Sequence, residues 1–176
     1  MVQKVQDGST RRLVGLCLLS WFAMLGLDFF LHGGLLAGLY VQPSPFLLPP
    51  ADAFTRIPFG YLSALLLSAL LLWLMDRLKL SGWRQGAVFG LQLGVLIGGA
   101  GLLSLFSIST AGLTLLIAWF VGQILQTGLA GAVIGSGLAG QRLRVIFARV
   151  LALVVLLAAA TIIMQNVGLA PAQQWE

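Results

Sequence analysis

The stretch that decides the fold of this chain is GWRQGAVFGLQLGVLIG at residues 82–98, in which a glycine recurs at every fourth position. In a water-soluble helix each glycine would cost about 1 kcal/mol relative to alanine, so five of them would prevent helix formation. Inside a bilayer the backbone has no water to bond, so an apolar segment stays helical, and a glycine row lets a second backbone approach closely. The pattern predicts a membrane helix that packs tightly through Gly82, Gly86, Gly90, Gly94 and Gly98.

The composition of the whole chain agrees with a membrane protein. Of its 176 residues 59% are hydrophobic and only 9% are charged, whereas a soluble domain carries about 25% charged residues. So few charges cannot cover a water-facing surface. The glycine ladder of residues 82–98 could pack against the fourth span, a second chain, or a bound tetrapyrrole or lipid tail. A second glycine row lies in the cytoplasmic half of the fourth span and consists of Gly128, Gly131 and Gly135.

Apolar runs of the length needed to cross a bilayer, about 20 residues, predict an all-α bundle of five transmembrane helices. We expect a cytoplasmic N-terminal segment at residues 1–12, the bundle at residues 13–164 and an extracytoplasmic tail at residues 165–176. A proline-rich connection follows the first span, with Pro58 expected in the first turn of the second span and Ser109 as a helix N-cap. The predicted spans are 13–39, 57–75, 83–106, 111–138 and 145–164.

The positive charges give the orientation. If five spans alternate across the membrane, nine of the ten Lys and Arg residues fall on one face, and Arg56 falls on the other. The positive-inside rule then places the N-terminus in the cytoplasm and the C-terminus outside a bacterial-type cytoplasmic membrane. Trp73 and Trp83 flank the first cytoplasmic loop, where interfacial aromatic residues belong. The nine are Lys4, Arg11, Arg12, Arg77, Lys79, Arg84, Arg142, Arg144 and Arg149.

Two ionisable residues lie within the first span. Asp28 and His32 are four positions apart, so they share a helix face, about 22 Å and about 28 Å from its start. Since such residues are costly in a membrane, they indicate a candidate functional site. Asp28 is expected to be neutralised by His32 or by Arg56, and the pair could form a proton-coupled site. No cofactor is predicted; the alternative is that His32 ligates a haem or chlorophyll-type ring beside Gly33 and Gly34.

Three glutamines lie inside the predicted third and fourth spans. Gln123 and Gln126 are three positions apart and share a face, and Gln92 lies on the preceding span. Amide hydrogen bonds between helices, each worth about 0.6–2 kcal/mol, are one interpretation. The other is that these side chains line a path for a polar substrate or belong to the Asp28–His32 site.

The sequence contains no known catalytic motif. Nucleophile-elbow, phosphate-loop and zinc-protease patterns are absent, and the chain has one histidine and one cysteine, Cys17. A single cysteine excludes an intrachain disulfide and a cysteine zinc site. We therefore expect neither an enzyme nor a metal protein.

Two functions remain after these exclusions. The first is a structural or accessory subunit that packs through its glycine-rich helices in a homo-oligomer or a larger membrane complex, in contact with lipid and without nucleic acid. The second is a small oligomeric transporter or channel with a proton-linked site at Asp28 and His32. We expect the first function, which the glycine rows favour; the second is the alternative, which the ionisable pair favours.

Overall fold

The computed structural model describes residues 2–42 and 44–171. Helix makes up 83% of the structure and the described part of the chain has no strand, so the predicted all-helical class is confirmed. Five helices are long and apolar enough to cross a membrane. The elements are α1 (Val2–Phe30), a π-helical turn (Leu31–Leu35), α2 (Ala37–Tyr40), α3 (Pro50–Arg77), α4 (Trp83–Ile108), α5 (Leu113–Leu138) and α6 (Leu143–Asn166).

Helices α1 and α5 form the centre of the bundle. Helix α1 packs against α3, α5 and α6, whereas α4 packs mainly against α5. Two apolar clusters account for this arrangement. The first joins α1, α3 and α5 through buried residues that include Met24, Met75 and Ile134. The second joins α1, α5 and α6 through residues that include Leu16 and Val150.

The glycines of α4 face α5 within the same chain. Gly86, Gly90 and Gly94 are buried, and a Cβ atom added to Gly86 would lie 2.8 Å from the carbonyl carbon of Gly131. A Cβ on Gly90 would lie 2.8 Å from the carbonyl carbon of Thr127. These neighbours are backbone atoms, which cannot rotate away, so the two helices approach at a distance that excludes larger residues.

The contact continues towards both ends of α4. The backbone N–H of Gly82 donates a hydrogen bond of 2.8 Å to the carbonyl oxygen of Gly135. At the other end, a Cβ on Gly98 would lie 3.1 Å from the ring of Phe120. A Cβ on Gly128 would lie 2.7 Å from Leu91. Glycines of both predicted rows therefore lie at the α4–α5 contact.

One end of the bundle gathers the basic segments. The guanidinium of Arg12 donates hydrogen bonds to the carbonyl oxygens of Gly137 at 2.7 Å and Gln141 at 3.0 Å. Gly82 contacts the end of α5 as well. Three segments therefore lie together at this end: the start of the first span near Arg12, the α3–α4 loop and the α5–α6 loop. Trp73 and Trp83 are exposed at this end, where the guanidinium groups of two arginines lie over their rings. The side chain of Lys4 lies outside the described residues.

The second membrane helix begins earlier than expected. Helix α3 starts at Pro50, not at residue 57, so Pro58 lies inside the helix and not in its first turn. Pro50 suits a helix start because its ring fixes φ and it has no N–H to satisfy. Pro58 is tolerated because a membrane helix has no competing water-bonded conformation. Pro43 and residues 172–176 of the predicted tail lie outside the described residues.

The turn between α4 and α5 also differs from the prediction. Ser109 ends α4 and does not cap the start of α5, which follows Gly112. The hydroxyl of Ser109 donates a hydrogen bond of 2.6 Å to the carbonyl oxygen of Leu105. A serine hydroxyl that bonds back into its own helix in this way is satisfied at the C-terminal end.

Candidate functional site

The ionisable pair of α1 is joined to α5 by a glutamine. Nε2 of His32 lies 3.3 Å from Oδ1 of Asp28, and the amide Nε2 of Gln126 donates a hydrogen bond of 2.8 Å to the same oxygen. Of the two expected partners of Asp28, the structure pairs it with His32; Arg56 is exposed near the start of α3. The Asp28 carboxylate therefore has one neighbour along its own helix and one across the bundle.

Two aromatic residues extend the pair into a connected chain of five side chains. Nε1 of Trp119 donates a hydrogen bond of 2.7 Å to the hydroxyl of Tyr40, which is hydrogen-bonded to Nδ1 of His32. Burial raises the pKa of Tyr40, which lies beyond the end of the first span, to about 12. The hydroxyl is thus protonated at neutral pH and can donate to His32. The polar network consists of Trp119, Tyr40, His32, Asp28 and Gln126.

A π-helical turn positions His32 within this network. The backbone N–H of Leu36 bonds to the carbonyl oxygen of Leu31 at 2.7 Å, which adds one residue to a normal helical turn. The amide Nε2 of Gln165 in α6 donates a hydrogen bond of 2.9 Å to the carbonyl oxygen of Gly33. Single π-helical turns occur frequently at functional sites. This turn occupies the Gly33–Gly34 position of the sequence.

The polar network borders a cavity of about 590 Å³ between α1, α3 and α5. The Asp28 side chain is 39% exposed, and the α3 residues that line the cavity are mostly exposed, so the cavity opens to the outside of the bundle. One wall is polar and the other is largely apolar. The lining residues are Met24, Leu25, Asp28, His32, Ile57, Gly60, Tyr61, Ser63, Ala64, Leu67, Trp119, Gln123 and Gln126.

The three predicted glutamines have different positions. Gln126 belongs to the network, and Gln123 lines the cavity with a buried Nε2 that has no hydrogen-bond partner among the described residues. An unpaired buried donor costs about 1–3 kcal/mol, so this amide group destabilises the fold beside the cavity. Gln92 is exposed on α4 and does not line the cavity. The structure therefore does not bring Gln92 to the site.

The alternative that His32 ligates a haem or chlorophyll-type ring stays a prediction; the structure gives the contacts of the imidazole and of the neighbouring glycine. Both imidazole nitrogens have neighbours, because Nδ1 is bonded to Tyr40 and Nε2 faces Asp28. A Cβ on Gly33 would lie 3.4 Å from Thr161, so α6 packs beside this glycine. Within residues 2–42 and 44–171, no three His, Cys, Asp or Glu side chains form a cluster that could hold a metal ion.

Three network or turn residues were missed by the sequence analysis. Tyr40 and Trp119 are 79 positions apart, and Gln165 is 132 positions from Gly33. The sequence carried one usable signal, because Tyr40 follows His32 by two helical turns on a segment that continues the same span. Gln165 resembled the first residue of a polar tail.

Comparison of the chain with known protein families, curated proteins and solved structures gives no match. The site itself therefore carries the functional argument. Its content is a carboxylate, an imidazole and two amides at an open cavity within membrane helices.

Proposed function

We propose that the protein is a small membrane transporter in which Asp28 binds either a proton or a substrate held in the cavity. The observation that carries this proposal is the polar network of five side chains, joined by three hydrogen bonds and the 3.3 Å contact between His32 and Asp28. Four of the five line the cavity: Asp28, His32, Trp119 and Gln126. Ionisable groups within membrane spans commonly mark substrate and proton pathways. No bond is made or broken in this function, so it requires neither an enzyme activity nor a cofactor.

The contacts of Asp28 support an exchange between proton and substrate. The Asp28 carboxylate accepts a hydrogen bond from Nε2 of Gln126 and lies 3.3 Å from Nε2 of His32. Its exposed side faces the cavity. Protonation of Asp28 neutralises its carboxylate, so a substrate that is held by the negative charge is released. Binding and proton uptake at one carboxylate are then mutually exclusive.

The irregular helix at the site supports a conformational change of the first span during transport. The π-helical turn interrupts the normal hydrogen bonding of the first span at His32, and broken or irregular membrane helices form the substrate sites of many transporters. We propose that the basic end of the bundle faces the cytoplasm of a bacterial-type membrane. The cavity lies in the other half of the bundle and therefore faces outward.

The proposal is tested in proteoliposomes with a trapped pH-sensitive dye and an imposed pH gradient. Solutes of different charge class are added one at a time, and proton movement is recorded. We expect one class to move protons in the wild type and not in Asp28→Asn, while Asp52→Asn, which alters an exposed carboxylate outside the cavity, behaves as wild type. If no solute moves protons faster than in protein-free vesicles, the transporter proposal fails.

A second candidate function is a subunit of a membrane assembly, and the position of α4 favours it. Helix α4 packs mainly against α5, and Leu96 and Leu103 on its other side are 70% and 68% exposed. We propose that the glycine rows act as a glycine zipper that joins α4 to α5, which leaves this outer face for lipid, a second copy or another protein. Native mass spectrometry after mild solubilisation tests it: a lipid-bound monomer contradicts the subunit function.

A further inference from the structure

We propose that the cavity binds a hydrophobic organic cation, such as a quaternary phosphonium or a protonated amine with an apolar body. This inference rests on the proposed transporter function and names its substrate class. It follows from the charge, the aromatic groups and the apolar wall of the cavity, which are argued in turn.

The fixed charge of the cavity is negative. Asp28 contributes a carboxylate, and none of the residues that line the cavity is lysine or arginine. The neighbours of Asp28 are His32 in the π-helical turn and Gln126 on α5. Tyr40 on α2 is bonded to His32, and Tyr61 on α3 lines the same cavity. None of these groups carries a permanent positive charge, since the His32 imidazole is the only one of them that can become cationic. A cation is the ligand that such a site favours.

Aromatic groups supply the second feature. Trp119 and Tyr61 both line the cavity, one on α5 and one on α3. The faces of aromatic rings attract large, weakly hydrated cations, and this attraction grows where water is displaced. A small inorganic cation is instead held by several oxygen ligands and strongly hydrated, so it gains less from aromatic faces. The aromatic walls therefore favour an organic cation over a metal ion.

The apolar residues of the lining favour a ligand that has a large apolar body. Met24, Leu25, Ile57, Ala64 and Leu67 form much of the lining, and ligand pockets of roughly 300–1,000 Å³ accept drug-sized molecules. Since the cavity opens between membrane helices, its ligand can enter from the lipid phase. A cation with a bulky apolar body buries that body on α3 while its charge faces Asp28.

The test compares two ions of the same shape and opposite charge, tetraphenylphosphonium and tetraphenylborate. Each is titrated calorimetrically into the detergent-solubilised protein, with protein-free micelles as the blank for partitioning. We expect saturable binding of tetraphenylphosphonium and no protein-dependent binding of tetraphenylborate. Asp28→Asn should weaken phosphonium binding by about tenfold or more, whereas Asp28→Glu should retain it and Asp52→Asn should leave it unchanged.

Three results would overturn the inference: equal binding of both ions, no phosphonium binding above the blank, or undiminished binding by a folded Asp28→Asn protein. Folding of each variant is checked by its size-exclusion profile and thermal unfolding. The two proposals fail separately. Asp28-dependent phosphonium binding without proton exchange in proteoliposomes retains the ligand class and removes the transporter. Proton-linked flux of another solute without phosphonium binding retains the transporter and removes the proposed ligand class.

Discussion

The indole Nε1 of Trp119 donates a hydrogen bond of 2.7 Å to the hydroxyl oxygen of Tyr40. The Tyr40 hydroxyl, which accepts the indole proton, has its own proton available to donate to Nδ1 of His32, to which it is hydrogen-bonded. The second ring nitrogen, Nε2, then carries the imidazole proton and faces Asp28. A residue of α5 thus favours the tautomer of His32 in which Nε2 carries the proton.

The tautomer of His32 can be measured directly, because it is the one histidine of the chain. In nitrogen NMR spectra of the neutral protein we expect the signal of a protonated Nε2. Tyr40→Phe should abolish this preference and lower the free energy of unfolding by about 1 kcal/mol, because one hydrogen bond is lost. Tyr61→Phe is the control. A wild-type spectrum with the proton on Nδ1 would contradict the direction of the hydrogen bonds.

Tyr40 also predicts an alkaline loss of stability. Its pKa is raised by burial from the ordinary value of 10.0 to about 12, so the folded state retains a proton that the unfolded state loses first. The stabilising contribution is complete below pH 10.0 and is lost as the pH rises through about 12. The free energy of unfolding, measured across this pH range, should fall more steeply for wild type than for Tyr40→Phe. Parallel curves would show that Tyr40 is not the cause.

The α4–α5 contact predicts opposite results for two glycines of one helix. A Cβ on Gly90 would meet backbone atoms of Thr127 at 2.8 Å and Gly128 at 3.1 Å, whereas a Cβ on Gly101 meets nothing within 4 Å. Gly90→Ala should lower the free energy of unfolding by about 1–3 kcal/mol through overpacking. Gly101→Ala should be neutral or stabilising. Thermal unfolding in detergent measures both, and equal effects would contradict the close approach at Gly90.

The unpaired amide of Gln123 predicts a stabilising substitution. Methionine has a similar length and no polar hydrogen, so Gln123→Met removes a buried donor that lacks a partner. The ligand-free protein should gain about 1 kcal/mol in its free energy of unfolding. A comparable loss would mean that the amide has a bound partner in solution. Gln126→Met is the contrasting variant and should destabilise, because it leaves Asp28 without its 2.8 Å donor.

The orientation of the bundle is tested by single cysteines in a Cys17→Ala background. Ser81 is exposed in the α3–α4 loop at the basic end, and Gly112 is exposed in the α4–α5 turn. A membrane-impermeant maleimide added to intact cells should label Gly112→Cys. It should label Ser81→Cys only after the membrane is opened, because basic loops remain in the cytoplasm. The reverse pattern would invert the orientation proposed for the protein.

The sequence was sufficient for the architecture because membrane helices are specified locally. Runs of apolar residues have the length of the bilayer, and glycine, proline and basic residues mark their ends. The start of α3 was misplaced because Pro58 resembled a helix start, although Pro50 already supplied one. Asp28, His32 and Gln126 could be singled out because polar side chains are costly in lipid. Their connection through Tyr40 and Trp119 depends on helix packing, which no local pattern encodes.

The π-helical turn has a consequence for the helical phase of the first span. In an uninterrupted α-helix a residue eight positions on is rotated by about 80°, whereas a residue seven positions on is rotated by about 20°. The extra residue of the turn at Leu31–Leu35 gives Tyr40 the rotation of the seventh position after His32, and the two rings come to lie with their centroids 5.6 Å apart. Deleting Gly33 would leave the other residues of the site in the chain but would rotate the Tyr40 phenol away from the His32 imidazole. The network therefore depends on the number of residues in this segment as much as on their identity.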